Sequence, residues 1–430
     1  MQKKRYAVCG VSNRGMYMYI CPMIKNFSHC AELVAILDID PIRFEVCKDI
    51  APETAGVPGY LPQEFDKMIA ETKPDAIIVT SMDCTHVDYI VGALKHDIDV
   101  ISEKPMTTNT ADALRVMEAE RKSKAKVICT FNYRYNPIHT KLKELVLAGK
   151  VGRVTHVDLN WYIDIEHGSS YFHRWNRMRE NSGSLSIHKS SHHFDLVNWW
   201  IEGIPEYVHA FGARNHYGEN GPFNPSKKAG RHCNECPEFF DCAYKARWAT
   251  RNSKAAMPDD HLSIYLDKVK RFTNYRPDMC IFDPEINIFD TFAVNVLYRN
   301  GAILNYSANF STPYEGYRLA INGTHGRLET MEYGGTAGVP LPDLNEGGRR
   351  YIDYFPIFGG RERIHVPENN GGHGGGDPLI QEDIFLGENP RRQFDILAKS
   401  VDGLRAVSIG DAVWNSIINK EMQDLTGFMQ

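Results

Sequence analysis

The 430-residue sequence has no excess of positive charge, no long hydrophobic run and no internal repeat, and each absence removes a class of function. Lys and Arg number 49 against 54 Asp and Glu, a formal net charge of −5. No basic run is long enough to neutralise a nucleic-acid backbone, so nucleic acid is not an expected partner. No stretch approaches the roughly 18 uninterrupted apolar residues of a membrane span, so no membrane partner is expected. The basic start MQKKRYAVCGVSNRG has an apolar stretch that ends at Ser12 and no small-residue cleavage site. It does not read as a secretory signal, and a cytoplasmic location is expected. In that compartment the ten cysteines are expected as thiols or metal ligands rather than disulfides. With 43% apolar and 24% charged residues, the chain is an ordinary globular one with room for two or three domains.

Residues 4 to about 132 alternate short β-branched runs with helical patterns. RYAVCGV, ELVAILDI, PDAIIVTS, DVISEK and AKVICTFN read as strands, nearly all apolar and therefore buried on both faces. Asn109 caps the helical stretch TADALRVMEAERKSK, with Asp112 in its first turn. The series predicts an N-terminal Rossmann domain over 1–132, a doubly wound parallel sheet. Beyond Asn132 the pattern changes to apolar–polar alternation in RVTHVDLNWYI and DTFAVNVLYRNGAILNYSANF, the second with Asn300-Gly301 between its arms. This predicts a C-terminal α+β domain over 133–430 with a large, mostly antiparallel sheet covered on one face by helices, including the 188–200 segment. Residues 212–283, rich in Asn, Pro, Lys and Cys, read as an insertion, and NNGGHGGGD (369–377) as a glycine loop.

VCGVSNRG places Gly10 and Gly15 in the frame of a dinucleotide-binding turn, with Ser12 where the middle glycine of G-x-G-x-x-G would stand. A serine there adds a small side chain that could donate to a phosphate. ILDIDP ends the second strand with Asp38 and Asp40; an acid in that position accepts hydrogen bonds from the adenosine ribose and repels a 2′-phosphate, so NAD is expected rather than NADP. The DVISEK strand ends in ISEKPMTTN, which aims Glu103 and Lys104 at the crevice where open α/β sheets bind ligands. A lysine beside a nicotinamide can stabilise an oxygen as negative charge develops on it. LSIHKSSHHFDLVNWW spaces His188 and His192 one helical turn apart, which suits a substrate hydroxyl or a zinc ion. The stretch lacks the glutamate of H-E-x-x-H and an obvious third ligand. His193 points elsewhere, and FDLVNWW reads as core.

With Glu103-Lys104-Pro105, PDAIIVTSMDCTHVDYI, TFNYRYNP and GDAVWNSIINKE in place, the chain resembles the Gfo/Idh/MocA family of nicotinamide-dependent oxidoreductases over nearly its whole length. The resemblance implies that Lys104 is the catalytic lysine, that Glu103 and Pro105, often a cis proline in relatives, shape the nicotinamide pocket, and that Asp38 holds the ribose. Asn13, Arg14, Thr80, Ser81, His86 and Asn132 complete the implied cofactor set. Relatives carry an aspartate and a histidine four residues apart. Here those positions are His188 and His192, so His192 matches as acid/base, while His188 departs and leaves the substrate and the position oxidised open.

Cys233, Cys236, Cys242 and Cys280 could close a structural zinc site or ligate an iron-sulfur cluster or, alternatively, form disulfides or remain buried thiols. His373 in the glycine loop is a candidate substrate contact. Trp161, Tyr162, Arg174 and Trp175 suit either a carbohydrate face, with Arg174 the candidate contact, or sheet packing. The expected function is hydride transfer between NAD and a hydroxyl carbon of a sugar, cyclitol or glycoside. A glycosidase working by transient oxidation at carbon 3 and elimination uses the same residues, and a non-catalytic nucleotide-binding sensor keeps the fold without turnover. Dimers or tetramers are expected by resemblance.

Overall fold

The structure is a computed structural model that describes residues 3–225, 231–233, 236–238, 241–244, 278–334, 350–367, 371–392 and 394–429. The chain divides into two compact units. The first takes the described residues of Met1–Thr130, Arg231–Met279 and Leu379–Leu404; the second takes those of Phe131–Gly230, Cys280–Pro378 and Arg405–Gln430. No described helix is long and apolar enough to cross a membrane.

The first unit is built on six described strands, β1 (Lys4–Cys9), β2 (Ala31–Leu37), β3 (Gly59–Tyr60), β4 (Ala76–Val79), β5 (Asp99–Ser102) and β6 (Val127–Cys129). They pair in parallel in the order β3-β2-β1-β4-β5-β6, so the chain reverses direction across the sheet between β1 and β4. Tyr6 to Cys9 and Ala76 to Val79 are fully buried. Each buried Val or Ile side chain among them contributes roughly 1.5–3 kcal/mol of transfer free energy. Five of the six strands match the apolar runs of the sequence; β3 has only two residues and no apolar run to announce it. The helix Thr110–Lys122 begins as expected, with the Asn109 side chain accepting from the Asp112 amide.

The second unit holds a sheet of nine described strands: β7 (Val154–Asp164), β8 (Pro205–Ala213), β9 (Thr291–Tyr298), β10 (Ile303–Thr312), β11 (Glu315–Gly323), β12 (Gly326–Gly334), β13 (Arg350–Pro356), β14 (Glu362–Val366) and β15 (Gln423–Asp424). The order is β14-β13-β12-β11-β7-β10-β9-β8-β15, antiparallel throughout except for β7 beside β10. Along β9 buried and exposed residues alternate, as period-2 patterning requires, and Asn300-Gly301 makes the turn into β10. The helix Ser191–Ile201 lies on the inner face, buried along its whole length. Its His193 Nδ1 meets the Tyr306 hydroxyl of β10 at 2.8 Å, and the Tyr298 hydroxyl of β9 donates to Asn198 at 2.9 Å.

A buried ion pair locks this helix to the segment that follows β6. Arg134 donates two parallel bonds to the Asp195 carboxylate, at 2.8 and 2.6 Å, with both side chains almost wholly out of water. Within that segment His139 braces the turn, its Nδ1 lying 2.7 Å from the Tyr133 carbonyl. A carbonyl only accepts, so Nδ1 carries the proton. Burial lowers the His139 pKa to about 4, with the Tyr133 carbonyl pulling the other way and Arg350 adding to the depression.

Two outcomes are expected. Asp195→Ala strands a buried guanidinium and should cost about 3–5 kcal/mol in denaturant unfolding, whereas Arg134→Met/Asp195→Leu together should cost less. For His139 the folded pKa lies below the unfolded value, so its contribution is present above about pH 6.5 and is lost as pH falls towards 4. Over that interval His139→Gln, which can still donate to the carbonyl, should show a shallower loss of stability than the parent, by up to about 3 kcal/mol.

Candidate functional site

In the first unit the turn after β1 is defined by what it excludes. Gly10 has φ +103°, and a Cβ there would lie 2.4 Å from the Ser81 amide nitrogen; a Cβ on Gly15 would lie 2.5 Å from the Gly10 carbonyl oxygen. Only glycine fits either position. Ser12 turns its hydroxyl into the turn, donating to the Thr80 carbonyl at 3.0 Å and accepting from the Gly15 amide at 3.1 Å. Its proton is therefore directed at Thr80, not outward as its position in the motif suggested. Thr80 in turn donates to the Gly10 carbonyl. Asn13 is exposed beside them.

Asp38, buried at the end of β2, accepts the Val11 amide at 2.7 Å and the Asp40 amide at 3.1 Å, with the Arg43 guanidinium 3.5 Å away. Burial pushes its carboxyl pKa upward, opposed by Arg43 and the two amides. A turn that a Cβ would fill, amides of a helical segment behind it and an acid closing β2 fit the pyrophosphate and ribose of a dinucleotide.

Glu103-Lys104-Pro105 follows β5, and the Lys104–Pro105 peptide is cis. Glu103 is buried, ion-paired to Arg14 at 2.7 Å and bonded by the Tyr19 hydroxyl at 2.8 Å. Burial opposes its ionisation, but Arg14, Lys104 and Tyr19 outweigh burial and hold its carboxyl below the usual range. The backbone amide of Lys104 donates to the same carboxylate at 3.2 Å. One buried carboxylate thus joins the glycine turn, through Arg14, to the strand end that carries Lys104. His86 sits beneath them with Nδ1 2.9 Å from the Pro105 carbonyl and Nε2 3.1 Å from the Ser81 carbonyl. Nearby, burial pushes the Asp83 carboxyl up to about 7, against the pull of His86 and Lys104.

In the second unit the expected helix over 188–200 is two helices. Leu185–His188 ends at His188 and Ser191–Ile201 begins three residues later, with the His192 amide bonded to the Lys189 carbonyl rather than to that of His188. The two histidines therefore do not share one helix face. His188 accepts the Asn176 amide at 3.1 Å and meets Tyr171 and Trp175 edge-on. The His192 ring, 3% exposed, stacks on Tyr133 at 4.3 Å and 13°. His193 stacks on Trp161 at 3.8 Å and serves packing, and Trp161 also stacks on Tyr317, so it lies in the core rather than on an open face. Arg174 donates back to Ser170, through its carbonyl and its hydroxyl.

The glycine loop belongs to this cluster. His373, at φ 52°, lies 5.5 Å from Tyr133, and its Nδ1 is 2.9 Å from Asp377. The other Asp377 oxygen accepts the Asn132 side chain at 2.6 Å. Asn132, Tyr133, His192 and His373 are thus brought together. Tyr133, Asp377 and Lys189 are members that sequence reasoning missed. Lys189 donates to the Tyr133 hydroxyl at 3.1 Å. The only signal for it in the sequence was a lysine among the histidines of LSIHKSSHH.

The structural zinc site that the spacing of Cys233, Cys236, Cys242 and Cys280 allowed is not supported. Among the described residues no group of three or more His, Cys, Asp or Glu is placed to hold a metal ion, at these cysteines or at His188 and His192. The Cys236 sulfur instead accepts the Arg231 guanidinium at 3.1 Å, and Cys280 is buried. Much of the expected insertion lies outside the described residues.

Two family profiles match, an oxidoreductase NAD-binding Rossmann fold over residues 4–131 and the C-terminal alpha/beta domain of the same oxidoreductase family over residues 143–423. The chain belongs to the Gfo/Idh/MocA oxidoreductase family. It is 50% identical over 419 residues, 97% of each chain, to YteT of Bacillus subtilis (strain 168), named as an oxidoreductase. An inositol 2-dehydrogenase of Rubrobacter xylanophilus is 30% identical over 185 residues, 42% of this chain and 48% of that one. The fold is shared with the WlbA dehydrogenase of Bordetella pertussis, solved with NADH and UDP-GlcNAcA, at TM-score 0.64 and 16% identity over 99% of both chains. Aldose-aldose oxidoreductase from Caulobacter crescentus, solved with glycerol, matches at TM-score 0.62 and 17% identity over 99% of this chain and 100% of that one. The protein is an oxidoreductase with an NAD-binding Rossmann domain.

Because a methyl group at Gly10 would run into the Thr80–Ser81 peptide and the residue sits at positive φ, Gly10→Ala should destabilise the first unit by at least ~1–2 kcal/mol. It should also weaken NAD binding by more than about tenfold in calorimetric titration.

Proposed function

We propose that the protein is an NAD-dependent dehydrogenase or reductase acting on a carbinol carbon of a sugar, cyclitol or glycoside. The observation that carries the reading is Lys104, set after β5 beside a buried, ionised Glu103 that also anchors the glycine turn. The match to inositol 2-dehydrogenases supports a polyhydroxylated substrate.

Gly10, Gly15 and the amides that follow would hold the pyrophosphate, and Asp38 the adenosine ribose; the acid disfavours a 2′-phosphate, so NAD is the cofactor rather than NADP. Bound NAD supplies the hydride acceptor, carbon 4 of its nicotinamide. His192 removes the proton of the substrate hydroxyl, a general-base task suited to an imidazole. Lys104 donates a hydrogen bond to the same oxygen as negative charge develops there. His188, in place of a carboxylate, gives or takes one hydrogen bond to a neighbouring hydroxyl and so orients the ring. His373, held by Asp377, and Arg174 are further substrate contacts in this reading.

Lys104→Met should abolish NADH formation across a panel of sugars, inositols and glycosides while leaving the NAD dissociation constant within about threefold of the parent. Normal turnover by this variant, followed at the NADH absorbance, would overturn the assignment. Release of aglycone without net NADH would mark the transient-oxidation glycosidase instead.

A further inference from the structure

Tyr133 is the centre of the second-unit cluster. One ring contact is the His192 stack, and Trp161, His193 and His373 surround it at 5.8, 6.5 and 5.5 Å. Its hydroxyl receives the Lys189 ammonium at 3.1 Å. Lys189 is only 5% exposed, an unusual place for a lysine unless its charge is needed there. Burial alone would lower its pKa, but Tyr133, Tyr171 and Glu315 reverse the balance and hold the proton more tightly than usual. Behind it runs a relay of contacts, Tyr171 hydroxyl to His167 Nε2 at 2.7 Å and His167 Nδ1 to Glu315 at 3.0 Å, which keeps a carboxylate close to the buried charge.

An ammonium has three donors and no acceptor, so it occupies a lone pair of the phenol and cannot take the phenol's proton. The Tyr133 O–H must therefore point away from Lys189. Polarised by a charge in a low-dielectric setting, it is a stronger donor than a phenol in water. It shares its ring face with His192, the group assigned to the reacting hydroxyl. With the two rings stacked at 4.3 Å, hydroxyls on adjacent carbons of one substrate suit the pair, one at His192 and the next at Tyr133.

We infer that Tyr133 is a specificity-determining donor to the hydroxyl vicinal to the reacting carbon, and that Lys189 is the positioning residue that makes it a donor. The site would accordingly select vicinal diols over monodeoxy analogues. The inference rests on reading the second unit as the substrate-binding half.

The test uses the full chain with NAD and a panel of myo-inositol, scyllo-inositol, D-glucose, D-galactose, D-xylose and their available monodeoxy forms. NADH formation and calorimetric binding to the NAD complex are read in parallel, with Lys104→Met as the control that binds without turning over. One hydrogen bond is worth about tenfold in binding. Tyr133→Phe, which keeps the stack, should raise KM about tenfold and change kcat by less than about threefold. Lys189→Met should give the same rise, Lys189→Arg should recover most of it, and the double variant should be no worse than either single one. The parent should lose about tenfold on one monodeoxy sugar, and Tyr133→Phe should lose nothing further on it. Parent-like KM and binding in Tyr133→Phe, or additive effects of the two substitutions, overturn the inference while leaving the proposed function intact. Binding that responds to Tyr133→Phe without turnover in the parent overturns the function, and with it the reference to a reacting carbon, but keeps Tyr133 as a Lys189-positioned donor to a bound hydroxyl. A parent that neither binds nor turns over any panel member overturns both.

Discussion

A guanidinium and a carboxylate taken out of water together must meet in good geometry or the unit that holds them does not form. In the second unit that condition falls on Arg134 and Asp195. Their two parallel bonds fix the direction of the turn Asn132–Tyr135 relative to the helix Ser191–Ile201. Tyr133 and His192 inherit their places from this. Residues 132 and 133 flank Arg134 on one side of the pair, and His192 stands one turn before Asp195 on the other. The Tyr133–His192 stack is therefore the short arm of a hinge whose pin is the ion pair. A lysine in place of Arg134 would keep the charge but lose the fork that sets the angle.

The architecture was largely readable in advance because burial on two faces and burial on one face leave different marks. β1, β2 and β4 to β6 are nearly continuous apolar runs, while β9 and β10 alternate. β3, with two residues, leaves no mark at all. The glycine turn, the acid of β2 and the strand end carrying Lys104 were also legible, because each is a local demand on residue type. The parts that escaped depend on contacts across the fold. Nothing in the periodicity of LSIHKSSHHFDL reports that the helix breaks at Lys189 and Ser190, since both residues are acceptable inside a helix. Nothing in TFNYRYNP sets Tyr133 apart from Tyr135; it is the Arg134 pair across the fold that goes with its place over His192. The cysteines suggested zinc by spacing alone, and spacing does not show where each sulfur turns.

The serine in the glycine turn has a different kind of consequence. By bridging the Gly15 amide and the Thr80 carbonyl, Ser12 holds the loop in one shape before any ligand arrives. A more glycine-rich version would wander among conformations and would have to be gathered up by the dinucleotide. Here the entropy of gathering is settled when the chain folds, so capture becomes a matter of encounter rather than of remodelling.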